Sequence, residues 1–120
     1  MAATLAQIDC EELWEKVQRG DDFVLVDALS PMSYALSRLP GAINITPTWV
    51  DDRARRKIPN LDTEVVVYCS SSTCDASPEV AARLIELGYR NVLHFTEGKR
   101  AWVAAGLPLE TGRAPVVPGN

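Results

Sequence analysis

A cysteine, Cys69, stands at the carboxyl end of the apolar run Val65-Val66-Val67-Tyr68, and a helix signal, Ser77-Pro78, follows eight residues later. A β-branched run without polar alternation suits a parallel strand covered on both faces. Ser77 is placed to be the N-cap, with Pro78 at the first helical position. A thiol held between such a strand and such a helix meets backbone N–H groups that have no partner inside the helix. Those donors and the positive end of the helix dipole favour a thiolate, so Cys69 is the candidate nucleophile. Ser70, Ser71, Ser72, Thr73, Cys74 and Asp75 form the candidate anion-binding loop, in which backbone amides matter more than hydroxyls.

The other chemistry-bearing residues are weighed against plainer roles. Cys74 reads as a resolving thiol that closes a disulfide on Cys69, or as a loop residue facing solvent or the helix. Asp75 is expected to face solvent, because an inward carboxylate would oppose the thiolate. Asp27 ends another apolar strand and is a candidate rim contact. Arg38 is a candidate anion contact on the same rim, or an exposed surface arginine. Cys10 reads as structural, and His94, inside a strand pattern, as a satisfied structural histidine. One histidine among scattered cysteines does not make a zinc site.

The frame that positions these residues is read from periodicity and punctuation. Asp9 and Glu12 are spaced as a capping box for a helix that turns Leu13, Trp14 and Val17 inward and ends at Gly20. Ile8-Asp9 is a short edge strand or a lead-in to it. Phe23 to Asp27 is a buried-type strand, and Ser30-Pro31 opens a short helix with Met32, Ala35 and Leu36 as its inner face. Leu39 to Ile45 is a turn running into a third strand, and Thr48 caps a helix from Trp49 to Lys57 that ends before Pro59-Asn60. Beyond the Cys69 strand, a helix from Pro78 to Leu87 buries Val80, Ala81 and Leu84 and closes at Gly88. A strand from Asn91 to Phe95 and a helix from Gly98 to Ala105, carrying Trp102 and capped by Gly106, complete the pattern. Trp14, Trp49 and Trp102 read as packing residues, and Asp52 with Arg56 as an ordinary ion pair on a solvated helix. Residues 1–110 are expected to form one domain and 111–120 a mobile tail. Strands alternating with helices mean an α/β fold with a mostly parallel sheet. Ligands in such sheets bind beyond the carboxyl ends of the strands, which puts Asp27 and Cys69 on one rim.

At 120 residues the chain can bury an ordinary core without disulfide staples. Its formal charge of −4 offers no general attraction to nucleic acid or to an anionic membrane. The N-terminal residues lack the basic start and apolar core of a signal peptide, so the expected location is the cytoplasm. Three cysteines without framework spacing point to thiol chemistry rather than structural bridging.

Taken in order, several segments resemble the rhodanese-like, single-domain sulfurtransferases. They are Leu25-Val26-Asp27, Tyr34, Leu39-Pro40-Gly41-Ala42-Ile43-Asn44, Val67-Tyr68-Cys69, Leu87-Gly88-Tyr89-Arg90-Asn91-Val92, and Gly98 through Trp102 to Gly106-Leu107-Pro108. The resemblance spans Ile8 to Glu110. It implies a sheet of about five mostly parallel strands with helices on both faces. It also implies a Cys69 persulfide, held by loop amides, that takes sulfane sulfur from thiosulfate or a persulfide. A thiol, cyanide or protein thiol then accepts that sulfur, with no cofactor and no metal.

The loop departs from the family pattern Cys-Arg-x-Gly-x-Arg, having neither charge nor glycine, and it is about two residues longer. Leu29 stands where the family has arginine, Arg38 where it has histidine, and Glu97 where it has one of two glycines. A hydroxyl-rich loop of this kind favours a persulfide or small-thiol donor. A tyrosine-phosphatase reading needs arginine six positions after the nucleophile, where Asp75 stands. A thioredoxin-type dithiol needs two intervening residues, where this chain has four. A redox switch through Cys69 and Cys74 and a non-catalytic binding module remain as alternatives.

Overall fold

The computed structural model describes residues 5–111. Along the chain these form β1 (Ala6–Gln7), α1 (Cys10–Arg19), β2 (Val24–Asp27), α2 (Pro31–Leu36), β3 (Ser37–Arg38), β4 (Ile43–Asn44), α3 (Val50–Lys57), β5 (Glu64–Tyr68), α4 (Ala76–Glu86), β6 (Asn91–His94), α5 (Gly98–Ala104) and β7 (Glu110–Thr111). Five strands make one parallel sheet in the order β1-β6-β5-β2-β4, while β3 and β7 form a separate antiparallel pair. This is the expected α/β architecture, a five-strand parallel sheet flanked by helices.

The period of two along β5 sorts the core into two layers. Val65, Val67 and Cys69 face α3 and α4, packing with Val50, Ala54, Val80, Ala81 and Leu84. Val66 and Tyr68 point the other way, into a cluster with Leu13 of α1 and Trp102 of α5. Both faces of β5 are therefore buried, which is why the run is continuously apolar. The Asp9–Glu12 capping box forms, Ser30 caps α2 with Pro31 at its first position, and Gly20 closes α1 in the left-handed conformation. Among the described residues no helix is long and apolar enough to cross a membrane.

Several expectations are corrected. Met32 and Leu36 are 76% and 70% exposed, because α2 is a short surface helix whose half-buried Tyr34, not those residues, packs against the core. Thr48 caps nothing: Pro47 opens a single 3₁₀ turn, Pro47–Trp49, from which α3 continues, and Trp49 stays 44% exposed under Arg53. The edge strand is Ala6–Gln7 rather than Ile8-Asp9, since Asp9 is already committed to capping α1. Thr111, expected to begin the tail, pairs with Ser37 in β7. The rest of that tail, residues 112–120, lies outside the described residues.

A buried polar contact ties β5 to β2 and to the turn after β3. The register sets Tyr68 beside Asp27, and the Tyr68 hydroxyl donates to Asp27 Oδ2 at 2.8 Å while accepting the Leu39 N–H at 3.0 Å. Burial, then the neighbouring Asp27 carboxylate, drive the Tyr68 phenol far above its ordinary range, so it stays a donor. Tyr68→Phe leaves both partners unsatisfied in the core. It is expected to cost roughly 1–3 kcal/mol in urea unfolding. A change under a few tenths would mean that the two partners find each other's company or water instead.

Candidate active site

Cys69 follows the last residue of β5, and two helices point their first turns at it. The Lys99 and Arg100 amides of α5 donate to the carbonyl oxygens of Cys69 (2.8 Å) and Ser70 (2.9 Å). That approach demands glycine at position 98. A Cβ there would stand 2.7–2.8 Å from Cys69 O, Ser70 C and Ser71 N, and Gly98 has φ of +75°. In a trans peptide the N–H opposes the C=O, so fixing these carbonyls on α5 turns the Ser70 and Ser71 N–H groups the other way.

The first amides of α4 meet sulfur. The Ser77 hydroxyl and amide act to lower the Cys69 thiol, and the Ala76 amide, with the Ser70 amide and hydroxyl, acts to lower the Cys74 thiol. Ser77 is consequently not the N-cap. Asp75 holds that position and α4 starts at Ala76, which puts Ser77 and Pro78 second and third in the helix. Proline fits there because the opening residues of a helix have no intrahelical acceptor for their N–H groups. Freed from capping, Ser77 is buried, with its Oγ 3.0 Å from Cys69 Sγ and 2.7 Å from His94 Nε2.

The two thiols bear on each other's ionisation, and their surroundings differ. Cys69 is 1% exposed. Burial pushes its thiol above the ordinary range, the contact with Cys74 adds to this, and the Ser77 hydroxyl and amide oppose it. The carbonyl oxygens of Cys74 (3.6 Å) and Ser71 (4.0 Å) also lie beside the Cys69 sulfur, where they suit a thiol and not an anion. For Cys74 partial burial raises the thiol, but the Cys69 S–H and the Ala76 and Ser70 donors outweigh it and bring it below its ordinary value. The expectation of a resting thiolate on Cys69 is thus corrected. The donors that the sequence assigns to Cys69 act largely on Cys74, whose carbonyl oxygen lies 3.6 Å from the Cys69 sulfur.

The remaining predicted residues separate from this centre. Ser71 Oγ and Thr73 Oγ1 pair at 3.1 Å on the outer side of the loop, and Ser70, Ser72 and Asp75 are exposed. Asp27 is no rim contact. It is fully buried, with its carboxylate taken by the Tyr68 hydroxyl and, at 2.8 Å, by the Leu29 N–H. Arg38 is neither exposed nor open to an anion. It is 2% exposed, donates to Tyr34 O at 3.0 Å, stacks on the Tyr34 ring and pairs with Glu110. The β3–β7 pairing brings Glu110 over it. The sequence names Gly98 as a helix start and His94 as a structural histidine without placing either at the site, and Arg100 goes unnamed. The last lines an open groove of about 320 Å³ with Ser71, Ser72, Thr73 and Glu97.

A cysteine-bearing loop at the carboxyl end of a central parallel strand, braced by two helix starts, defines a class of domain. A sequence model of the rhodanese-like domain matches residues 9–105, and the chain belongs to that family. It is 33% identical over 103 residues to a sulfurtransferase of Allochromatium vinosum, covering 86% of this chain and 92% of that one. It is 30% identical over 105 residues to the thiosulfate sulfurtransferase GlpE of Haemophilus influenzae, covering 88% and 94%. The solution structure of a rhodanese-like domain from an Anabaena protein superposes with a TM-score of 0.80 at 21% identity, over 98% of this chain and 89% of that one.

Two outcomes follow from this geometry. Gly98→Ala is expected to cost about 2–4 kcal/mol, from backbone overlap plus a strained φ; wild-type stability in urea would show that the turn relaxes freely. Limited iodoacetamide at neutral pH, read by peptide mapping, is expected to label Cys74 well before Cys69, because Cys74 is more exposed and its thiol is lowered where that of Cys69 is raised. Faster labelling of Cys69 would overturn the assignment.

Proposed function

We propose that this protein is a rhodanese-type sulfurtransferase that moves sulfane sulfur from a donor to a thiophilic acceptor through a persulfide on Cys69. One observation carries the reading: a second sulfur already has a place beside the first. Cys74 bears on the Cys69 thiol, its carbonyl oxygen lies 3.6 Å from the Cys69 sulfur, and the Ala76 and Ser70 donors act to lower the Cys74 thiol. The outer sulfur of a persulfide bears the negative charge, and such a place, next to Cys69 and facing N–H groups, stabilises it without a metal. Cys74 belongs to the half-exposed loop and vacates the place when a donor enters.

In the first half-reaction the Cys69 sulfur attacks the outer sulfur of the donor, whose S–S bond breaks. Sulfite, if the donor is thiosulfate, leaves with the bonding electron pair. In the second, a thiol, cyanide or a protein thiol attacks the outer sulfur, and the pair of the Cys69 S–S bond returns to Cys69. This is double-displacement covalent catalysis. The relatives' names support thiosulfate as donor, and the loop without arginine supports a persulfide. Arg100, in the groove above the loop, supplies a cation for either anion.

The effect of the two thiols on each other's ionisation also favours a second reading, a redox switch in which oxidation joins Cys69 to Cys74. Intact-mass measurement separates the two. After thiosulfate or a low-molecular-weight persulfide, the wild-type chain and Cys74→Ser are expected to gain one sulfur and Cys69→Ser none. No adduct with any sulfane donor, together with loss of two hydrogens on mild oxidation, would leave the switch. Loss of the adduct in Cys74→Ser alone would move the carrier to Cys74.

A further inference from the structure

Behind Cys69 lies an unbroken line of buried polar side chains that sulfur transfer as described leaves unused. Cys69 Sγ, Ser77 Oγ and His94 Nε2 are joined at 3.0 Å and 2.7 Å, and the three residues are 1%, 2% and 8% exposed. Strand parity builds the line. Val67 is the register partner of His94, and Val67, Cys69 and Val92 face α4, as does His94, two residues beyond Val92. Packing alone does not require histidine on that face, whose other β6 member is Val92. Thr96 Oγ1, 3.4 Å from Nδ1, can accept the proton of the Nδ1–H tautomer, which leaves Nε2 an acceptor toward Ser77.

We propose that His94, acting through the Ser77 hydroxyl, is the proton acceptor that activates Cys69. The inference rests on Cys69 being the sulfur carrier. As the Cys69 sulfur attacks the donor, its proton passes to Ser77 Oγ while the Ser77 proton passes to His94 Nε2. Ser77 ends unchanged, the S–S bond forms at Cys69, and an imidazolium faces the new persulfide across one hydroxyl. When the acceptor removes the outer sulfur, the electron pair returns to Cys69 and the proton runs back along the same line. Charge therefore moves only during attack, as in general-base catalysis.

The resting state agrees. Burial pushes the Cys69 thiol up and His94 down, so both are neutral before the donor arrives. Among the described residues, Cys74 is the titratable side chain that bears on Cys69, and none bears on His94, whose shift comes from burial alone. Across β1 the register partner of His94 is the uncharged Gln7. Ser77 and His94 are positioning residues, since neither touches the transferred sulfur.

The pH dependence of kcat/KM tests this with thiosulfate and cyanide. In the wild type the rate is expected to be level through the neutral range, because the base is already unprotonated there. His94→Gln keeps an acceptor for Ser77 but cannot take a proton. Its rate is expected to climb about tenfold per pH unit through the neutral range, following Cys69's own ionisation, and to lie roughly 10²-fold below wild type at neutral pH. Ser77→Ala should behave likewise, and Ser77→Thr should restore the level profile. Iodoacetamide labelling of Cys69 against pH, read by peptide mapping in a Cys74→Ser background, should reproduce these shapes without any sulfur transfer. A level profile in His94→Gln, with circular dichroism confirming its fold, overturns the relay and leaves a packing histidine. The expected labelling profiles in a chain that takes no sulfur would retain the relay and refute the sulfurtransferase reading.

Discussion

The contact between Gly98 and the backbone that follows Cys69 is the constraint on which the site depends. It brings the start of α5 within hydrogen-bond reach of two carbonyl groups that would otherwise be free to turn toward the sulfur. With those oxygens held, the loop has only one side on which to place its amides, and the first residues of α4 act on its thiols from there. The helices thus divide the labour. One binds the acceptors of the loop, the other supplies donors to its sulfurs, and each satisfies orphan groups that any helix start leaves unpaired.

Two thiols in such a pocket cannot both ionise cheaply. Nearby like charges in a half-dry site oppose each other, so the better-solvated sulfur is the easier to ionise. Here that sulfur is Cys74, whose thiol Cys69, Ala76 and Ser70 bring below its ordinary value and which is partly open to solvent. Cys69 is enclosed and has carbonyl oxygens nearby. A family loop with arginine can lower a buried thiol by charge. A loop of hydroxyls and amides has only dipoles, which act strongly at contact distance and fade beyond it. Nucleophilicity at Cys69 then needs a proton acceptor that is itself uncharged at rest.

Much of this was legible in the residues. The Val65–Val67 run, the Asp9–Glu12 box, Ser30-Pro31 and the glycines after the helices place the elements, because local preference and tertiary role agree at those positions. Ser77 misled because Ser-Pro is as compatible with the second and third helical positions as with the cap, and only the loop's true length decides between them. Arg38, just before the Leu39 turn, read as an anion contact or a surface arginine, and Asp27 as a rim residue since it ends a strand. Their burial comes from partners distant in sequence, Glu110 and Tyr68, which no local pattern announces. His94 could have been found. Once Val92 is assigned to the core, alternation puts His94 on the same face as Val67 and Cys69, and a titratable residue there asks for a partner.

Strand parity therefore has chemical as well as packing consequences. Tyr68 and Cys69 are consecutive, yet one joins Asp27 and Leu39 on the α1–α5 face and the other joins Ser77 and His94 on the α4 face. The sheet keeps the Asp27 carboxylate on the opposite side from the thiol, where Tyr68 occupies it. Were the register shifted by one residue, that buried carboxylate and Cys69 would share a layer, and repulsion would oppose any anionic sulfur. The apolar sheet interior acts here as a partition between two hydrogen-bonded networks, one holding the strands together and one open to proton movement.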